Sequence, residues 1–295
     1  MAQAACCWEA SSRKVGNVHP GASFADTEFM DFVLSGAVLN WSFSTGTQPT
    51  TESEPHRSVG RSVYLAVTET KECVGSNTNL GIALLLVPLM RGTPRTPLTP
   101  DLRTSVAQQL SELTVLDAEL VYRAVLAANP GGLGNAPQQD VREKPTVTLL
   151  EAMRLAADRD MVARQYANGF ADVFDFGVPA FTRALAGFGC VEAAIIDSQF
   201  RWLATFPDSL IARKRGRAAA EDVQRRAREA LALGGIATAE GRAAGVALDR
   251  HLRSDGNKLN PGTTADLITA CLFVALRENK VTLSAPFRWN VPDWL

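Results

Sequence analysis

Outside residues 281–284, this chain shows almost none of the apolar–polar alternation of period two that a half-buried strand needs, which sets aside most folds built on a sheet. Apolar residues recur instead at helical spacing, in segments closed by Gly, Pro, Asn or Asp. The spacing predicts helices over 2–12, 24–41, 56–74, 101–111, 115–128, 190–206, 218–233 and 238–252, shorter helical pieces between 147 and 186, and apolar helical runs over 82–90 and 267–276. Residues 42–55 and 91–100, rich in Pro, Thr, Ser and Gly, read as connections. The expected fold is all-α, one globular multi-helix domain over 1–295, with 281–284 extended and an irregular tail to 295.

Hydrophobic residues make up 46% of the 295 against 21% charged, enough for a buried core and unlike a disordered chain. A net charge of −1 gives no broad cationic surface, so nucleic acid and anionic membranes are not expected partners. No run reaches the roughly 18 apolar residues of a membrane span. Met1–Ala10 lacks the basic residues that precede a secretory core, so the expected compartment is the cytoplasm. The five cysteines are odd in number and show no CxxC spacing, and they read as reduced thiols.

Two stretches read as helix starts built for an anion. In Asn260-Pro261-Gly262-Thr263-Thr264-Ala265-Asp266, Pro and Gly end what precedes, and Thr263 with Asp266 has the spacing of a capping box. Gly75-Ser76-Asn77-Thr78-Asn79-Leu80-Gly81 leads likewise into an apolar run. Unpaired N–H groups and the helix dipole favour negative charge at such ends. Asn77, Thr78, Asn79, Gly81, Asn260, Gly262, Thr263 and Thr264 are therefore candidate phosphate ligands, and a nucleotide site is expected where helix N-termini converge. A well-capped core helix is the plainer alternative for either stretch taken alone.

Further candidates are scattered. The irregular segment 13–21 joins Lys14 to Gly16 and Asn17, a wall for a phosphate or ribose or else a solvated loop. Asp26, expected in the first turn of its helix, is a dipole partner or a catalytic carboxylate. The glycines at 131, 132 and 134 match neither nucleotide-binding glycine signature, and read as a flexible loop carrying Asp140 toward a site. Asp172 and Asp175 stand three apart, so on an α-helix both would face one way, as a magnesium site needs. Arg213 and Lys214 belong to the densest cationic run, which either sits at a helix C-terminus or holds a triphosphate.

Taken together, the Lys14/Gly16 loop with the acidic helix after it, GSNTNLG at 75–81, the loop at 131–134, DSLIARKRG at 208–216 and NPGTTADL at 260–267 resemble the triphosphoribosyl-dephospho-CoA synthase family over about residues 5–276. The resemblance implies a transferase: a ribose hydroxyl of dephospho-CoA attacks the anomeric carbon of ATP's ribose, and adenine leaves. That chemistry needs a clamp for the triphosphate with Mg²⁺, a base for the hydroxyl proton, and stabilisation of an oxocarbenium-like transition state. On this reading Lys14, Arg213, Lys214 and the two helix ends hold phosphates, Asp266, Asp26 and Asp172 are catalytic candidates, and Asp140, Asp172 and Asp175 are metal candidates. Ser23 and Asn79 stand where the citrate-lyase branch is expected to carry histidines. The form NTNLG is closer to a branch associated with tetrahydromethanopterin-type one-carbon metabolism, which makes another acceptor the alternative. A nucleotide-binding regulator without turnover is the reading from a different class.

Overall fold

The computed structural model describes residues 1–46, 58–93, 101–134, 136–281, 287 and 289. Among these the chain is all-α, with no strand and two isolated β-bridges, His19–Ala22 and Phe24–Thr27. No helix of the described residues is long and apolar enough to cross a membrane. Most of the expected segments 281–284 and 285–295 lies outside the described residues, as do 47–55 and 94–100 of the two connections. The chain groups into two compact units. One holds Met1, Gln3–Phe29 and Val173–Leu295; the other holds Ala2 and Met30–Asp172.

The Met30–Asp172 unit contains most of α2 (Phe29–Gly46), then α3 (Val59–Val74), α4 (Leu80–Arg91), α5 (Leu102–Ser111), α6 (Val115–Ala128), α7 (Leu149–Ala156) and α8 (Met161–Ala167). Helix α2 starts five residues later than the apolar spacing suggests and runs into the stretch 42–46 expected to be a connection. Phe24 is withheld from it because its N–H donates to Thr27 O (3.0 Å) in a tight turn. Helix α4 is buried from Ile82 to Leu89. Pro88 lies inside it and has no N–H to give Leu84 O, and the buried Tyr166 hydroxyl donates to that carbonyl instead (2.7 Å). Helices α3 and α6 meet at a shared cap. Asp117 closes a capping box with Thr114, and its other carboxylate oxygen accepts from Ser58 Oγ and Gly60 N at the start of α3, both at 2.8 Å.

The other unit contains most of α1 (Ala2–Ser11), then a π-helical turn ending at Gly177, and α9 (Val178–Phe188), α10 (Val191–Thr205), α11 (Ser209–Arg215), α12 (Arg217–Ala232), α13 (Ala239–Arg253) and α14 (Gly262–Arg277). Helix α14 is buried continuously from Leu267 to Leu276, as a helix apolar on all sides must be. Alanine-rich α12 packs on α10 and α13 packs on α12, and Ile196, Phe200, Leu203, Ile211, Val223, Leu248 and Leu252 belong to the core these helices share. Full burial of each large side chain contributes about 1.5–3 kcal/mol.

Candidate functional site

The first loop is held from beneath by one amide. Gln199 of α10 is buried, accepts from Val15 N (2.9 Å), and donates to Val15 O (2.8 Å) and Asn17 Oδ1 (2.7 Å). Gly16 N donates to Asp249 (2.8 Å), and Asn17 O accepts from Arg253 (2.6 Å). Gly16 has φ +71°, and a Cβ there would lie 2.7 Å from Leu252 and 3.0 Å from Pro261, so only glycine lets the loop meet the Pro261 segment. Asn17 Nδ2 then donates to Asn260 Oδ1 (2.6 Å). The structure thus joins two stretches that the sequence separates by 243 positions.

Lys14 is not on the surface of this loop. Its ammonium is buried against the Glu9 carboxylate (2.9 Å) and also donates to Glu9 O and to Ser12 O (3.2 Å). Three acceptors use its three N–H donors, so the expected phosphate clamp at Lys14 is corrected to an internal ion pair that closes the end of α1. Burial pushes the Glu9 carboxyl above its usual range, although Lys14 opposes that shift.

The start of α14 is also differently made. Thr263 and Asp266 form no capping box, since Pro261 is the N-cap and no side chain of that stretch caps it. The anion at this end is the buried carboxylate of Asp208. Its Oδ2 accepts from Thr264 N and Thr264 Oγ1, both at 2.8 Å, while its Oδ1 accepts from Leu210 N (2.9 Å) and Ile211 N (3.1 Å) at the start of α11. Ser209 Oγ donates to Thr263 Oγ1 (3.1 Å), and a Cβ on Gly262 would lie 2.7 Å from Leu210. Thr263, Thr264 and Gly262 therefore serve contact between α11 and α14, which corrects their assignment as phosphate ligands. Burial raises the Asp208 carboxyl above its usual value and outweighs the bonds from Thr264, Ile211 and Leu210. Asp266 lies in the second turn of α14, partly exposed, and its charge reaches Cys6 of α1.

At the other end of α11 the charged groups gather. Lys214 Nζ donates to Asn257 O (3.4 Å), and Arg215 pairs with Asp255 (3.0 Å). The Asn257 amide donates to both oxygens of Asp26 (3.2 and 3.0 Å). Asp26 sits in the exposed turn before α2, not in its first turn as expected. Lys214 is held below the usual lysine range by partial burial and then by neighbouring Arg213, against the fields of Asp26 and Asp208. The Lys214 ammonium, the Asn257 backbone and amide, and the exposed Asp26 carboxylate thus come together from three distant stretches, and this is the candidate site of the unit. Asp208, Asn257 and Gln199 were missed by sequence reasoning. Asp208 had a signal, an Asp directly after Pro207 and before a helix.

In the Met30–Asp172 unit, Asn77 Oδ1 accepts from Leu80 N (3.2 Å), Thr78 Oγ1 meets Ser35 Oγ, and buried Asn79 donates to Thr70 Oγ1 (2.6 Å). Gly81 lies in the first turn of α4. A cleft of about 170 Å³ lies beside this start, lined in part by Lys71, Gly75, Ser76, Asn77, Asn79 and Asn129. Asp140 accepts from Ala136 N (2.9 Å) and Arg142 N (3.0 Å), which with the Arg142 guanidinium hold it below the usual carboxylate range. Asp172 accepts from Arg164 (2.8 and 3.1 Å), Gln165 (2.9 Å) and Asn168 (3.0 Å); burial alone would raise its carboxyl, and these donors bring it down.

Asp172–Gly177 is a π-helix, whose wider turn carries residues three apart off a common face. The expected metal group of Asp140, Asp172 and Asp175 does not form: among the described residues no three acids, histidines or cysteines are placed to hold an ion.

The model of the CitG family, described as ATP:dephospho-CoA triphosphoribosyl transferase, matches residues 1–284. Over 115 residues, 39% of this chain, the sequence is 34% identical to a probable 2-(5''-triphosphoribosyl)-3'-dephosphocoenzyme-A synthase of Pseudomonas savastanoi pv. phaseolicola. It is likewise 34% identical over 113 residues, 38% of this chain, to a protein of the same description from Pseudomonas putida. The matched stretches span 39% and 40% of the lengths of those relatives. A provisionally assigned triphosphoribosyl-dephospho-CoA synthase from Archaeoglobus fulgidus, solved by crystallography, aligns with a TM-score of 0.62 and 26% identity, covering 83% of this chain and 98% of its own. With a family match over nearly its whole length and a fold shared with that structure, the chain belongs to the CitG family of ATP:dephospho-CoA triphosphoribosyl transferases.

Proposed function

We propose that this chain transfers the triphosphoribosyl group of ATP to 3'-dephospho-CoA. The single observation that carries the reading to residues is the gathering of Lys214, Asn257 and Asp26 from three distant stretches, with Arg213 next to Lys214 in the chain. Arg213 and Lys214 hold phosphate oxygens by charge-assisted bonds. Asp26, oriented by the Asn257 amide, accepts the proton of the attacking ribose hydroxyl. The new C–O bond forms at the anomeric carbon as the C–N bond to adenine breaks, and the base leaves with the electron pair and takes up a proton. The triphosphate is not cleaved. Adjacent carboxylate charge steadies the oxocarbenium-like transition state.

Of the acids expected to form a magnesium site, Asp140 and Asp172 are engaged by protein donors, and among the described residues the three do not gather. Mg²⁺ would arrive with ATP and neutralise part of the triphosphate charge. The test is acceptor selectivity. Purified protein with ATP should release free adenine with 3'-dephospho-CoA and much more slowly with CoA, whose 3'-phosphate occupies the acceptor ribose. Adenine release indifferent to the acceptor would remove the reading.

A further inference from the structure

We propose that Asp208 is a positioning residue for the proposed transfer, its buried carboxylate fixing where α11 presents Arg213 and Lys214 relative to Asp26. The inference rests on the ATP-clamp reading above. Asp208 is only 2% exposed, and it bonds the starts of two helices at once through Leu210, Ile211 and Thr264. Helix α11 has only seven residues, so a rise of about 1.5 Å per residue puts Lys214 about 9 Å along the axis from the cap. At that far end Lys214 meets Asn257 O and Arg215 meets Asp255, within the turn whose Asn257 holds Asp26. The short helix is therefore pinned at both ends to the segment from Asp255 to Thr264. Two pins define its direction and register, and releasing the Asp208 pin leaves the cations free to pivot about the other.

An ordinary stabilising cap would affect only folding, and the chain supplies its own comparison. Asp117 is the same kind of double cap, joining α3 and α6 through Ser58, Gly60 and Thr114, and no cation of the proposed clamp lies on either helix. The experiment measures KM for ATP, kcat and melting temperature for Asp208→Asn, Thr264→Val, Thr264→Ser and Asp117→Asn, with calorimetric ATP binding on each. Asp208→Asn and the milder Thr264→Val should raise KM for ATP by about tenfold, the scale of one charge-assisted contact, with kcat within about threefold. Thr264→Ser, which keeps the hydroxyl, should recover the wild-type KM. Asp117→Asn should melt earlier with an unchanged KM. The proposal is overturned if Thr264→Val folds with an unaltered KM and ATP affinity, or if Asp117→Asn raises KM as much as Asp208→Asn does. Failure of the wild type to bind ATP or release adenine would instead remove the functional reading beneath it.

Discussion

Replacing Lys14 with methionine should destabilise the protein and leave ATP binding by the folded fraction nearly intact. Both Lys14 and Glu9 are buried, and the ammonium meets the Glu9 carboxylate at 2.9 Å while holding two carbonyls at the end of α1. Removing one partner of a buried pair costs about 3–5 kcal/mol, because the other charge stays in a poor solvent. On the scale of about 2–4 °C per kcal/mol for large domains, the melting temperature should drop by roughly 6–20 °C.

The pH dependence tests the cause. Burial already sets the Glu9 carboxyl above its value in the unfolded chain, so folding takes up a proton there and stability falls as pH rises through the folded pKa. Without Lys14 that pKa rises further. The destabilisation by Lys14→Met should then be larger at pH 8 than at pH 5, as read from urea midpoints, and the double change Glu9→Gln with Lys14→Met should recover much of the loss. A Lys14→Met protein of unchanged stability that no longer bound ATP would refute the argument and return Lys14 to the phosphate clamp.

Three further outcomes are expected. Tyr166→Phe should cost about 1–3 kcal/mol by leaving Leu84 O unsatisfied, and Pro88→Ala should restore most of it by returning the helical donor, which chemical denaturation of the single and double variants would show. His19, held down to about 4 first by burial and then by Arg253 and Lys14, stays neutral in the folded protein while the unfolded chain protonates near 6.5. Its contribution is complete above that value and is lost as pH falls toward 4, so His19→Gln should flatten the stability profile in that window. Asp26→Asn should lower kcat by about 10²–10⁴ with a melting temperature close to wild type, because the side chain is exposed; an equal or larger fall in Asp266→Asn alone would move the base to α14.

The helices were legible because their apolar faces repeat at the right period and their ends carry Gly, Pro or a capping side chain. The segment at 24–28 was misread because Phe24 keeps the spacing of α2 while its backbone is committed to a turn with Thr27. Thr263 and Asp266 have the local pattern of a capping box, yet a carboxylate 56 residues away takes the Thr264 N–H, and no local window contains that competitor. Lys14 looked like a surface cation for the same reason, since its burial depends on the end of α1 folding back over it. The pairings of Asn17 with Asn260, and of Asn257 with both Lys214 and Asp26, join distant stretches, and local reading treated Asn257 only as part of a turn.

Glycosyl transfer that keeps the triphosphate whole is visible in the mass of the product. Wild-type protein incubated with ATP and 3'-dephospho-CoA should form one new species, the sum of both substrates less adenine, with free adenine in equal amount and all three ATP phosphates retained. Conversion of ATP to ADP, AMP or pyrophosphate, with the adenine still attached to its ribose, would rule out transfer at the anomeric carbon.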